Sequence, residues 1–365
     1  MHPDHLQAAD ALEAVSRAVS EWTVDQHYAE DATMDGRFGP EGRRMWRADV
    51  QNRVAHLVEA LAADEPVLFV SSATWSRAAF LAREMGDEDI RVNLRCLRSV
   101  VAEHLPAAIA GRATAIIDEA IAAVGKGHGV PLSPLEHMGD AGTTARLFLL
   151  QLLQREHAEA ERIVQELLDG NMPLSEIYEH VIAPAMNEIG HMWHLREASV
   201  ADQHYCTAST QAIMARLRGQ VQAAPSNGLL AIACSSGGDM HELGIRMASD
   251  LFELAGWRVE CLGANMPSAD VAEAMAAQPH RSPANLLAIS AGTVLSVRSV
   301  ASLIATVRAT PAGAKAGVIV GGLPFHLAPG LWRKVGADGF AQRATEAPAA
   351  ALELVRARAG ATGRA

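Results

Sequence analysis

Cysteine is scarce in this chain of 365 residues. The four thiols, Cys96, Cys206, Cys234 and Cys261, lie far apart and form no CxxC pair. That excludes a disulfide framework or a zinc knuckle and fits a reducing compartment. Aromatic residues make up only 4% of the chain, against 49% apolar residues rich in alanine, which suits a helix-rich globular protein. Positive charge is short as well: 31 Lys and Arg face 42 Asp and Glu, for a net charge of −11. A broad nucleic-acid-binding surface is therefore excluded, though a local patch is not. No apolar run approaches the roughly 18 residues of a membrane span. The opening stretch, MHPDHLQAADALEAV, has neither a basic n-region nor an apolar core. No signal peptide is expected there, and the expected location is cytoplasmic. No helix-turn-helix, Walker loop or internal repeat is legible.

What is present begins with the last third. Short apolar runs, LLAIAC (229–234), RVECLG (258–263), NLLAIS (285–290), GVIVGG (317–322) and GFAQ (339–342), alternate with helical patterns such as HELGIRMASDLFELAGW and VRSVASLIATVRAT. This predicts an α/β domain over 229–365 with a flavodoxin-like, doubly wound, five-stranded parallel sheet. Ligands of such sheets sit at the carboxyl ends of the strands, beside the switch point between strands 1 and 3. Residues 131–221 read as a four-helix bundle. TTARLFLLQLLQREHAEAERIVQELLDG is amphipathic and stops at Gly170. PLSEIYEHVIAPAMNEIGHMW opens with Pro173, and SVADQHYCTASTQAIMARLRG opens on a Ser199/Asp202 capping box. RATAIIDEAIAAV is a candidate for the remaining helix. QAAPSNG (222–228) reads as a linker. Residues 1–130 read as a mostly helical sensory or interaction domain, with one strand-like run, PVLFVSS (66–72), and a loop in EDATMDGRFGPEGRR.

The loop after the first strand, CSSGGDMHELG, carries the densest chemistry. Asp239 precedes His241 by two residues, at a strand-to-helix turn. One reading is structural: His241 caps the helix and Asp239 holds its ring. A zinc site lacks other Cys or His at ligand spacing. His191 and His194, an i,i+3 pair, read as surface residues.

Taken whole, GDMHELG resembles the DxHxxG signature of cobalamin-binding domains that take the cofactor with its benzimidazole base detached. The resemblance implies that His241 is the lower axial cobalt ligand. It implies that Asp239 accepts the other ring N–H and fixes the tautomer. Met240, Glu242, Leu243 and Gly244 complete the segment, and Gly244 lets the nucleotide tail pass the backbone. The family's SxL and GG signatures follow. SAGTVLS keeps Ser290 but has Gly292 where leucine is usual, and VGGLP keeps Gly321 and Gly322.

Upstream, WHLREASVADQH is similar to the W-x9-EH element in adenosylcobalamin-dependent photoreceptors related to the CarH and LitR regulators. The resemblance implies that Trp193 stacks over the adenosyl group and that His204 takes the upper cobalt position once adenosyl leaves. Gln203 stands where that family has glutamate; it is uncharged and donates as well as accepts. Without those parallels, Trp193 reads as bundle core and His204 as a solvated histidine.

Two functions follow. The first is a light sensor using adenosylcobalamin, with light changing its conformation and its dimeric or tetrameric assembly. The second is a corrinoid carrier that passes methyl to an acceptor on another protein. In neither is the chain itself the catalyst, and a mutase would need a (β/α)8 barrel that is not present. Direct DNA binding is not expected, since the N-terminal region lacks the helix-turn-helix of those regulators. That region reads either as a module for a regulatory or effector protein or as a site for a second chromophore, biliverdin, by architectural resemblance to photocobilins. Trp22, Trp46, Trp75, His27, Arg43, Arg44 and Arg47 are the candidates for lining such a site, and Cys96 for tethering it. The alternative for each is an ordinary core or surface role.

Overall fold

A computed structural model describes residues 1–83, 85–126, 133, 135–136, 138–276 and 282–362. The expected boundary at 130/131 lies outside them. The chain divides into two compact units, Met1–Pro131 with Leu327–Val335, and Leu132–His326 with Gly336–Ala365.

Among the described residues, the N-terminal stretch of the first unit forms seven helices: α1 (Pro3–Ala14), α2 (Ser16–Glu30), α3 (Met34–Phe38), α4 (Gly42–Ala63), α5 (Pro66–Leu81), α6 (Asp87–His104) and α7 (Ala107–Gly125). Buried side chains recur at helical spacing, as in Val50, Val54, Leu57 and Leu61 of α4 and Ile90, Leu94, Leu97 and Val101 of α6. Three expectations are corrected here. The run 66–72 is not a strand; it opens α5, with Pro66 in the first turn, where its missing N–H costs nothing. Short apolar runs are ambiguous by period, and here the sequence stays helical for another nine residues, to Leu81. The expected loop at 30–44 contains α3 and the start of α4. RATAIIDEAIAAV is part of α7, which packs on α5 and α6 in this unit rather than in the bundle.

The aromatic and basic candidates of this region mostly serve its own packing. His27 and Trp46 are buried and meet edge to face, ring centroids 4.7 Å apart. Burial above all lowers the His27 pKa. Arg43 pairs with Asp25 and Asp35, and Arg44 pairs with Glu41. Arg47 is exposed, while Trp22 and Trp75 are partly exposed. Cys96 is buried, and burial pushes its thiol up to about 12, far from the reactive range.

The second unit opens with the bundle: α8 (Gly139–Leu153), α9 (His157–Asp169), α10 (Leu174–Ile177) leading through a π-helical turn (Tyr178–Ile182) into α11 (Ala183–His194), and α12 (Val200–Gln220). The 143–170 pattern expected as one helix is two. Arg155 takes a left-handed conformation, φ 68°, and reverses the chain. That strain costs about 1–2 kcal/mol. The fold-back offsets it by burying Phe148, Leu149 and Leu152 in one core with Ala160 and Val164. Pro184 explains the π turn. It has no N–H to offer His180, and the Ala183 N–H reaches back to Tyr178 O instead. The Ser199/Asp202 capping box of α12 is present, with Asp202 N–H donating to Ser199 Oγ at 3.1 Å and Ser199 N–H to Asp202 Oδ2 at 2.9 Å.

After the irregular segment 222–228 comes the sheet. Its strands are β1 (Leu230–Ser236), β2 (Arg258–Met266), β3 (Leu286–Ala291), β4 (Gly317–Gly322) and β5 (Gly339–Phe340), all parallel, in the order β2-β1-β3-β4-β5. Helices α13 (Leu243–Leu254), α14 (Ser268–Met275), α15 (Val297–Arg308), α16 (Pro311–Lys315), α17 (Leu323–Leu327), α18 (Leu331–Lys334) and α19 (Ala347–Thr362) connect and follow them. The five-stranded parallel sheet preceded by helical regions is the expected fold. Strand register sets Ser235, Ser290 and Gly321 abreast, so the three chemistry-bearing loops leave the sheet at one level.

Candidate functional site

The loop after β1 is strapped from several sides. The Gly238 N–H donates to Asn265 Oδ1 at 2.7 Å, Ser299 Oγ donates to Gly237 O at 2.6 Å, and Ser235 Oγ donates to His241 O at 2.9 Å. This holds Asp239 inward, with its carboxylate fully buried. Oδ1 accepts both His241 Nδ1–H at 2.9 Å and the His241 backbone N–H at 3.0 Å. Oδ2 accepts the Gly292 N–H at 2.7 Å. Burial acts to raise the Asp239 pKa, but these N–H donors outweigh it and hold the carboxyl below its usual range. The same hydrogen bond raises the His241 pKa, against desolvation. Because Nδ1 faces a carboxylate, it carries the proton, and the lone pair of the neutral ring lies on Nε2. The side chain is 60% exposed, and among the described residues no hydrogen bond reaches Nε2. An oriented imidazole with one free nitrogen, braced by a buried acid, is the arrangement a metal-ligating histidine needs.

Beside this loop lies a cavity of about 380 Å³ between α13, β3, β4 and the bundle. Its walls are largely apolar, with Ala248, Phe252, Ala288 and Ile319 among them. Gly244, Ser290, Gly321 and Gly322 border it. A Cβ on Gly244 would come within 3.0 Å of Ser290 Oγ, and one on Gly321 within 3.2 Å of Ala341 O. Gly322 has φ 103°, and a Cβ there would meet Ala291 O at 2.1 Å, so only glycine fits. Four of the sequence-named residues, Gly244, Ser290, Gly321 and Gly322, thus gather around one opening, and this space suits a flat, mostly apolar group.

The bundle supplies walls that sequence reasoning missed. Tyr178 and Glu179, neighbours on the π turn, both face the cavity. Tyr178 O–H donates to Asp250 Oδ2 at 2.6 Å, while Glu179 accepts from Arg343 and Thr345, both at 2.8 Å. Pro184 marks where a helix is disturbed, but no sequence signal says which residues the disturbance presents. Also missed were Leu295 and Leu323, exposed after β3 and β4. With Met240, 71% exposed after β1, they leave apolar side chains at the carboxyl edge of the sheet. Leu243 is half-buried at the start of α13, and Glu242 accepts from Arg246.

Trp193 ends α11 and is partly exposed rather than bundle core. Gln203 is half-buried and His204 exposed, in the first turns of α12. His204 precedes Gln211 by seven residues, so the two share a helix face. The Gln211 amide donates to Glu242 Oε1 at 2.6 Å, next to His241 in sequence. The face that carries His204 is therefore the one turned toward the His241 loop. His194, expected at the surface, is buried. Among the described residues, no group of three or more His, Cys, Asp and Glu gathers to hold a metal ion. No described helix is long and apolar enough to cross a membrane.

Comparison with known proteins identifies the domains that carry these residues. Residues 145–218 match one family model described as a B12 binding domain, and residues 229–352 match another of the same description. A dimethylamine corrinoid protein of Methanosarcina barkeri is 28% identical over 195 residues, covering 53% of this chain and 88% of the relative. Dimethylamine corrinoid protein 2 of Methanosarcina mazei is 26% identical over 187 residues, covering 50% and 84%. Among solved structures, a monomethylamine corrinoid protein of Methanosarcina barkeri shares the fold, with a TM-score of 0.50 at 21% identity over 56% of this chain and 95% of that one. The chain therefore carries a cobalamin-binding module, homologous to methanogen corrinoid proteins.

Proposed function

We propose that this cobalamin-binding chain is a corrinoid carrier, a non-catalytic component that presents a bound corrinoid to a methyl-transferring partner protein. One observation carries the corrinoid part: the free Nε2 of His241, backed by buried Asp239, beside a glycine-bordered cavity. His241 would hold the cobalt through Nε2, and the cofactor would supply a metal centre able to accept and release a methyl group. Asp239 orients the ring and keeps the proton on Nδ1. Ser290 offers a hydroxyl at the cavity, and Gly244, Gly321 and Gly322 leave room for the detached base. Met240, Glu242 and Leu243 flank His241 in the chain. The carrier assignment rests on the similarity to dimethylamine corrinoid proteins over about half of the chain. Spectra of the cobalamin-loaded protein test the ligand. Replacing His241 with alanine should abolish the histidine-ligated form, and identical wild-type and H241A spectra would sink the proposal. Cobalt-dependent methyl uptake in the presence of a methyltransferase tests the carrier role.

A second reading, a light sensor, is favoured by one feature: His204 lies on the α12 face that Gln211 ties to Glu242. On this reading His204 would be a second histidine able to hold the cobalt, with Gln203 beside it in the chain. Illumination of the adenosylcobalamin complex should then give a product spectrum that differs between wild type and H204A. Matching spectra leave the carrier reading alone. A preference for adenosyl- over methylcobalamin would point the same way as a light response.

A further inference from the structure

The turn after β3, in the segment SAGTVLS, carries a glycine at position 292. Two independent contacts define what this position does here. The Gly292 N–H donates to Asp239 Oδ2, the oxygen His241 does not use. The bare Cα also faces His241 directly. A Cβ at 292 would lie 2.4 Å from His241 Cβ, 2.5 Å from Cγ and 2.8 Å from Nδ1. These atoms are the root of the side chain, not a flexible end that can swing aside. Any side chain at 292 therefore forces the β3 turn or His241 to move.

We propose that Gly292 is a positioning residue for His241: its N–H braces Asp239 from behind, and its missing side chain lets the imidazole loop close onto the β3 turn. The inference rests on reading His241 as the lower cobalt ligand. The two contacts act on different atoms but have one effect, fixing the direction in which Nε2 points. Asp239 is fully buried, so losing the Gly292 N–H would leave Oδ2 short of a donor with no water in its place. The other straps, Asn265 and Ser299, hold Gly238 and Gly237 and do not touch the ring. Leucine is consequently not a neutral replacement in this chain.

The test compares Gly292→Ala and Gly292→Leu with wild type and His241→Ala. The first readout is the His241 Nδ1–H resonance of the ligand-free protein by NMR. The second is the histidine-ligated fraction in the absorption spectrum after loading with cobalamin. Both Gly292 variants should shift or lose the Nδ1–H resonance. The histidine-ligated equilibrium should fall about tenfold or more for leucine and less for alanine. A wild-type resonance together with a wild-type spectrum in G292A would overturn the proposal, and G292A decides alone if the leucine variant does not fold. If wild type and H241A already share one spectrum, the lower-ligand reading falls instead, while the Nδ1–H resonance still decides whether Gly292 positions the ring.

Discussion

At the scale of single residues, the Asp239–His241 pair sets the pH behaviour. The His241 pKa is raised, first by the Asp239 hydrogen bond. A proton therefore competes with cobalt for the imidazole until pH rises past that raised value. The histidine-ligated fraction of the loaded protein should grow with pH, through a midpoint that cobalt's competition for Nε2 displaces below the free ring's own pKa. In D239N that midpoint should drop, because the neutral amide no longer favours the imidazolium; a pH titration of the spectrum checks both. Without cofactor the sign reverses. The ion pair stabilises the fold fully below the unfolded histidine pKa, and that contribution is lost as pH rises through the raised folded value. Gly322 makes a second residue-scale prediction. Its φ of 103° and the 2.1 Å approach of Ala291 O leave no place for a methyl group. G322A should lose about 2–3 kcal/mol or more of stability in denaturant unfolding, with cobalamin binding weakened as the cavity border shifts.

At the scale of elements, α12 and the π turn behave differently. The capping box of α12 is local chemistry, readable as S-x-x-D and present as read. S199A should cost about 1 kcal/mol in denaturant unfolding, a loss that a Thr substitution at this cap should largely avoid. The π turn was not readable in this way. Pro184 shows that a hydrogen bond is missing, but not how the helix accommodates it or that Tyr178 then meets Asp250, 72 positions on. Burial already raises the Asp250 pKa, so its carboxyl depends on the tyrosine hydroxyl. Y178F should therefore destabilise the fold by about 1–3 kcal/mol, measured by denaturant unfolding. The misread elements share one cause. The 66–72 run and the 143–170 pattern satisfy more than one local rule, and what they pack against chose between them.

At the scale of the whole molecule, the two B12-binding matches lie in the second unit except for Leu327–Val335, and the N-terminal stretch that carries α1 to α7 lies outside both. Loading with cobalamin should raise hydrogen-exchange protection around 239–244, 290–292 and 321–322 and across the Tyr178–Ile182 turn. Residues of α1 to α7 should change little. Equal protection gains in both units would argue that the cofactor site is not the one built around His241. By itself the sequence determined the five strands, the glycines at their ends, and the acid–histidine spacing that sets the tautomer. Those features depend on local periodicity, backbone freedom and neighbours two residues apart. Only the tertiary structure decided that Gly292 lies against the His241 ring, that the π turn walls the cavity, and that Gln211 of α12 meets Glu242. Contacts between residues some 30 to 70 positions apart follow from strand order and helix packing, and no local pattern encodes them.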